Sequence, residues 1–201
     1  KDRIVTVKGL SEKEVKATHV IWPLSFTEMG NELAAAYDAL EEKQNLVLKF
    51  LKDNGIDESE ITLASPKVQD TLANSYDGRT RPYRYILTQV VTVSTDKVDT
   101  IRKLSVTQRE LLKKGVALSS DYSYMTAYSF TGLNEIKPEM IESATKNAKA
   151  AAQKFADDSG SKLGKIRRAN QGVFTITDRD ENTPFIKNVR VVTTVEYFLN
   201  D

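Results

Sequence analysis

The chain contains no cysteine, one histidine and one tryptophan in 201 residues. Without thiols there is no disulfide, no thiolate nucleophile, no iron–sulfur cluster and no cysteine-ligated zinc. The single histidine, His19, excludes a multi-histidine metal site and leaves a Ser/His/Asp triad only one residue to serve as base. Charge of one sign is lacking too. The 29 Lys and Arg face 28 Asp and Glu, a formal +1, which argues against a dedicated nucleic-acid binder. The longest uncharged stretches, 17–27 and 122–134, are too short and too polar to span a bilayer. What is present, 40% apolar and 28% charged residues, is the make-up of a folded chain with one sizeable core or two modest ones. The catalytic inventory is so thin that no reaction is expected: no catalytic, cofactor-binding or metal-binding residue is assigned. Absence of cysteine is compatible with an oxidising compartment. The opening KDRIVTV reads as a strand without an apolar signal core, so any leader is expected to have been removed ahead of this numbering.

Ile4 to Val7 leads through Lys8-Gly9 to an extended run from Val15 to Thr27, which predicts a hairpin turning at the glycine. Pro23 cannot donate to a ladder and belongs at an edge or bulge. From Asn31 to Asn54, Leu33, Ala36, Tyr37, Leu40, Val47, Leu48 and Leu51 recur at three- and four-residue steps, an amphipathic helix closed by Gly55. Two further strands follow, the second being YRYILTQVVTVS, joined across the turn-rich loop 74–82. Thr95 or Asp96 is expected to cap a second helix, with Val98, Ile101, Leu104, Leu111 and Leu112 buried and Gly115 at its exit. The run from Val116 to Phe130, read as a regular strand, puts Tyr122, Tyr124, Thr126, Tyr128 and Phe130 on one face. An Ala-rich third helix then runs to Gly160, carrying Met140, Ile141, Ala144, Ala148, Ala151, Ala152 and Phe155. Two β-type runs, Ile166 to Thr177 and Val189 to Leu199, close the chain around the loop from Asp178 to Pro184.

The fold class is therefore α+β: antiparallel sheets with three long helices packed on one side, in the order ββαββαβαββ. Two closely packed subdomains are expected, 1–94 (ββαββ) and 95–201 (αβαββ), with interleaving of the two left open.

Five places invite a chemical reading. His19, in an apolar strand beside Val20, Ile21 and Trp22, reads as a hydrogen-bonded structural residue, because nothing near it in sequence supports a triad. The segment from Gly160 to Lys165 has a superficial likeness to a phosphate-binding loop. It is one residue short between glycines, lacks Ser or Thr after the lysine and follows a helix, so Gly160 as a helix cap and Gly164 as a turn explain it better. Asp178 to Asn182 alternates oxygen donors, yet Thr183 and Val189 stand where a calcium loop needs glycine and glutamate, which leaves a solvated hairpin loop. Lys165, Arg167 and Arg168 are expected to be balanced by Asp157 and Asp158. The most informative stretch is 76–85, which interleaves three arginines with three tyrosines. Such residues stack, pair with acids and anchor protein interfaces, and Tyr76, Arg79, Arg81 and Tyr83 are the expected partner contacts.

The opening IVTVKGLSEKEVKATHVIWPLSF, the helix ending FLKDNGIDESEITLASPKV, the block YRYILTQVVTVSTDKVDTIRKL, the Ala-rich helix running into GSKLGKI, and the terminal VRVVTTVEYFL together resemble the SIMPL-domain family, also called DUF541. The likeness covers essentially the whole chain. It departs at Thr18-His19, where members often carry Asp and a small apolar residue. The resemblance implies a bacterial protein exported to the periplasm or the outer-membrane face, working as a homo-oligomer or with an envelope partner. It also implies peripheral rather than transmembrane attachment and, in some members, a link to stress tolerance. Read from the residues, the alternative is a small-ligand or cation carrier using the aromatic face of Tyr122, Tyr124, Tyr128 and Phe130 or the loop from Asp178 to Asn182. No cofactor and no nucleic-acid partner is implied, and the resemblance brings no site residues.

Overall fold

Period-two alternation builds long strands at both ends of the chain, and stripes of period 3.6 build the helices between them. The computed structural model describes residues 3–73 and 77–201. Its elements are β1 (Ile4–Lys16), β2 (His19–Gly30), α1 (Leu33–Asp53), β3 (Ile61–Leu63), β4 (Lys67–Asp70), β5 (Tyr85–Thr95), α2 (Val98–Val106), α3 (Arg109–Lys113), β6 (Ala127–Ser129), α4 (Leu133–Asp158), β7 (Lys162–Gln171), β8 (Thr175–Asp178) and β9 (Ile186–Asn200). The class is α+β with two antiparallel sheets, and the expected order is recovered once β3/β4, α2/α3 and β7/β8 are each seen as one broken element. The breaks have local causes. Pro66 interrupts the first pair. In the second, the Ser105 and Thr107 hydroxyls donate to the carbonyls of Ile101 and Lys103 and the Gln108 amide to that of Ser105, so side chains end the helix.

Contacts divide the chain into two units, Lys1–Thr18 with Ser129–Asp201, and His19–Tyr128. This grouping is interleaved along the sequence, the first unit taking both ends of the chain and the second the segment between them. Its origin is β1, which pairs along its whole length with β9, from Ile4 opposite Phe198 to Lys16 opposite Ile186. The expected hairpin at Gly9 is accordingly absent, and β1 and β2 lie in different sheets.

In the first unit the strand order is β1-β9-β7, with β8 also on β9. Helix α4 covers one face through Met140, Ala144, Ala148, Ala152 and Ala156, all buried at four-residue spacing, against Val7, Val189, Val191, Val195 and Tyr197. Gly9 is mid-strand because α4 crosses it: a Cβ there would lie 1.9 Å from the Ala144 carbonyl oxygen and 2.6 Å from the Ala148 nitrogen. Gly164, expected in a turn, also lies within a strand, where a Cβ would come 2.9 Å from the Phe198 carbonyl oxygen. Gly160 does close α4, at φ +66°.

In the second unit the order is β3-β5-β2-β6, with β4 also on β5. One face of the sheet buries Val20, Trp22, Leu24, Phe26, Leu87, Val91 and Val93 beneath Leu40, Val47 and Leu51 of α1, Ile101 and Leu104 of α2, and Leu111 of α3. Each such side chain contributes about 1.5–3 kcal/mol by leaving water. Pro23 stands opposite Thr92 in β2, whose other side meets the three-residue β6 and, at the Ser25 carbonyl, the N–H of Ser119. The regular strand expected from Val116 to Phe130 is not formed. Tyr122 to Tyr124 make a 3-10 turn, with the Asp121 carboxylate accepting from the Ser123 N–H at 2.8 Å, and Tyr122 is 86% exposed. The expected aromatic face is dispersed: Tyr128 packs on the core of the second unit and Phe130 on that of the first. Leu112, expected to be buried, is exposed, as is Phe155 on α4.

Among the described residues no helix is long and apolar enough to cross a membrane.

Candidate functional site

The Tyr/Arg segment is held at its base by a clasp. Where β4 ends, the Thr71 N–H donates to the Arg84 carbonyl at 2.7 Å and its hydroxyl to the Tyr83 carbonyl at 2.9 Å. The Arg84 guanidinium binds both oxygens of Asp70, Nε to Oδ1 at 3.3 Å and an Nη to Oδ2 at 3.1 Å, while its backbone N–H donates to the Asn31 side-chain oxygen at 3.0 Å. A guanidinium fits a carboxylate in this forked manner and lysine does not. Hydrogen bonds from Arg84 foremost, with the Leu72 N–H behind them, hold the Asp70 carboxyl below its ordinary range, and Asp70 raises the guanidinium in return. Arg84 also lies over the Tyr85 ring, 4.9 Å from its centre, a cation–π pair.

Beyond the clasp the described residues point to solvent. The Asp77 carboxylate accepts from the Arg79 N–H at 3.2 Å, shaping a turn around Gly78, whose φ is +63°. The Arg79 side chain stays exposed, 3.9 Å from that carboxylate. Arg81 and Tyr83 are exposed too. The structure therefore brings Arg79, Arg81 and Tyr83 onto one exposed connection, and Tyr76 lies outside the described residues. Beside it an open groove of about 600 Å³ runs between α1 and the β4/β5 pair, lined by Leu33, Tyr37, Val68, Arg84, Tyr85 and Leu87. This groove was not legible in the sequence, where Leu33 and Tyr37 read as part of the buried stripe of α1.

A second cluster forms around His19. Its Nδ1 is 2.7 Å from Asp96 Oδ1 and its Nε2 is 2.9 Å from Ser94 Oγ. An ionised carboxylate only accepts, so Nδ1 carries the proton toward Asp96, and in the neutral ring Nε2 accepts from the Ser94 hydroxyl. The side chain of His19 is 27% exposed and that of Asp96 85%. The histidine is hydrogen-bonded, as expected, but its partners are the two residue types whose support seemed missing. They lie 75 and 77 residues away in sequence, and Ile21 opposite Ser94 sets the strand register that joins them. Asp96 does not cap α2. The residue before that helix is Lys97, whose N–H donates to Thr95 Oγ1 at 3.1 Å.

The remaining motifs are engaged structurally. Asp178 pairs with Lys187, and Asp180 accepts from the Asn182 N–H at 2.9 Å, from Arg179 at 3.2 Å and from the Thr183 hydroxyl. Arg167 is balanced by Glu196 at 3.1 Å rather than by Asp157 or Asp158, which accept from Gln153 and Lys154 on α4. Among the described residues no three His, Asp or Glu gather in a way that could hold a metal ion.

No curated protein matches the chain. The sequence model of the SIMPL family, described as a protein of unknown function (DUF541), matches residues 5–196. That match takes in both sheets, all four helices and the β4–β5 connection, and the chain belongs to the SIMPL family.

Proposed function

We propose that this SIMPL-family chain is an exported cell-envelope protein, of the periplasm or outer-membrane face, that acts by binding a second copy of itself or another envelope protein rather than by turning over a substrate. The β4–β5 connection is its contact surface. The observation that carries this reading is the Asp70–Arg84–Thr71 clasp, which fixes the base of the connection while Arg79, Arg81 and Tyr83 stay exposed. A pinned base reduces the ordering cost of binding, and exposed Tyr and Arg are the residue types that anchor interfaces.

Sedimentation velocity of the labelled chain, alone over a wide concentration range and then in envelope extract of its own host, tests this. The expected result is a faster-sedimenting species that Arg79→Glu with Arg81→Glu weakens at least about tenfold. A monomer in both settings, or a complex indifferent to the two substitutions, overturns it. Small-ligand carriage is the second reading. It draws on the groove, whose volume of about 600 Å³ and lining of mostly apolar surface with Asn31, Glu32 and Arg84 among it suit a ligand site, and a ligand held there raises the melting temperature. Its cation form has less support, since Asp178 and Asp180 are already engaged.

A further inference from the structure

From the chain Ser94–His19–Asp96 we infer that Ser94 is an activated nucleophile, an acceptor site for acyl groups from activated carboxylic esters, taking one equivalent per chain. The order of groups carries the inference. A hydroxyl lies 2.9 Å from one imidazole nitrogen, and a carboxylate lies 2.7 Å from the other. Asp96 fixes the tautomer in which Nε2 is the free base, and Nε2 faces the Ser94 hydroxyl. A nucleophile within reach of a base that a third group orients is the arrangement that activates serine, whatever the fold around it.

Neighbouring backbone keeps the trio in place. His19 opens β2 immediately before Val20, which stands opposite Thr95. Ser94 and Asp96 flank Thr95, which is buried and donates to Glu60 at 2.7 Å. Ser94 itself is exposed, so an acyl donor can reach it.

The step balances without a redox partner. Ser94 Oγ bonds to the ester carbonyl carbon while its proton passes to His19 Nε2. The tetrahedral adduct collapses, the bond to the leaving oxygen breaks, and the departing phenolate or alkoxide takes the proton from the imidazolium. The product is a seryl ester. This acylation places one acyl group on Ser94 per chain. The binding role proposed above is independent of it.

The test treats the full chain with p-nitrophenyl acetate and maps acetyl groups by mass spectrometry, with exposed Ser120 as internal reference. Ser94 is expected to acetylate faster than Ser120 by about a hundredfold, the lower end of general-base assistance. His19→Ala removes that advantage, and Asp96→Asn removes about tenfold of it. Added imidazole restores Ser94 over Ser120 in His19→Ala, a rescue that a merely structural histidine would not give. Equal labelling of the two serines in the wild-type chain, or an advantage of Ser94 that survives His19→Ala, overturns the inference.

Discussion

Gly9→Ala tests the packing of α4 on its sheet. The new methyl would be built 1.9 Å from the Ala144 carbonyl oxygen, 2.6 Å from the Ala148 nitrogen and 2.9 Å from the Ala144 carbonyl carbon. All three are backbone atoms, so no rotamer change relieves the clash. To restore a contact of about 3.5 Å the helix must retreat by roughly 1.5 Å. That gap spreads along the buried stripe of Ala144, Ala148 and Ala152. Overpacking commonly costs about 1–3 kcal/mol, and a gap of about 0.5–1 Å already forfeits a quarter to a half of the dispersion contact. The expected loss is at least about 3 kcal/mol, read by urea unfolding followed by circular dichroism, with a melting temperature about 6–12 °C lower for a chain of this length. Gly55→Ala is the control. Gly55 has φ +86° and open space where a Cβ would go, so alanine there meets only backbone strain of about 1–2 kcal/mol. If Gly9→Ala costs no more than Gly55→Ala, the close approach of α4 to β1 is wrong.

The clasp gives two further expectations. Asp70 should titrate below its ordinary value of 3.8 when followed by carboxyl NMR, and Arg84→Lys should return it toward that value. Since its folded pKa is lowered, the stability it contributes is present above that ordinary value and is lost as pH falls through the lower, folded one. Titration of the wild-type carboxyl at or above 3.8 would contradict the Arg84 pairing. Thr71→Val keeps the side-chain shape but removes the donor to the Tyr83 carbonyl, a loss of about 1 kcal/mol. Amide exchange at position 71 should accelerate about fivefold, and an unchanged rate would mean that the hydroxyl does not hold the base of the connection.

What could be read in the sequence was what repeats locally. The stripe through Leu40, Val47 and Leu51 encodes α1, and the four-residue Ala spacing encodes α4, because each needs only neighbours along one helix. Strand partners are not encoded that way. Ile4 to Lys16 alternates in the same manner whether it meets β2 or β9, so Gly9 looked like a turn when it is the point where α4 touches β1. The run from Val116 to Phe130 misled for the opposite reason. Its aromatics have strand spacing, but Asp121 accepts from the Ser123 N–H and turns the chain there. At the site, the Tyr/Arg segment announced itself by composition. The Asp70–Arg84 fork did not, nor did the Ser94–His19–Asp96 chain, since strand register rather than sequence proximity brings His19 to its partners.

The central claim is that the β4–β5 connection is a contact surface. Its most direct test is photo-crosslinking in the native host, with a photoreactive amino acid replacing Arg79 in one strain and Lys149, exposed on α4, in another. The account predicts a discrete crosslinked species from position 79, containing either a second copy or one envelope protein, that the Lys149 strain lacks. Equal or absent crosslinking from the two positions would contradict it.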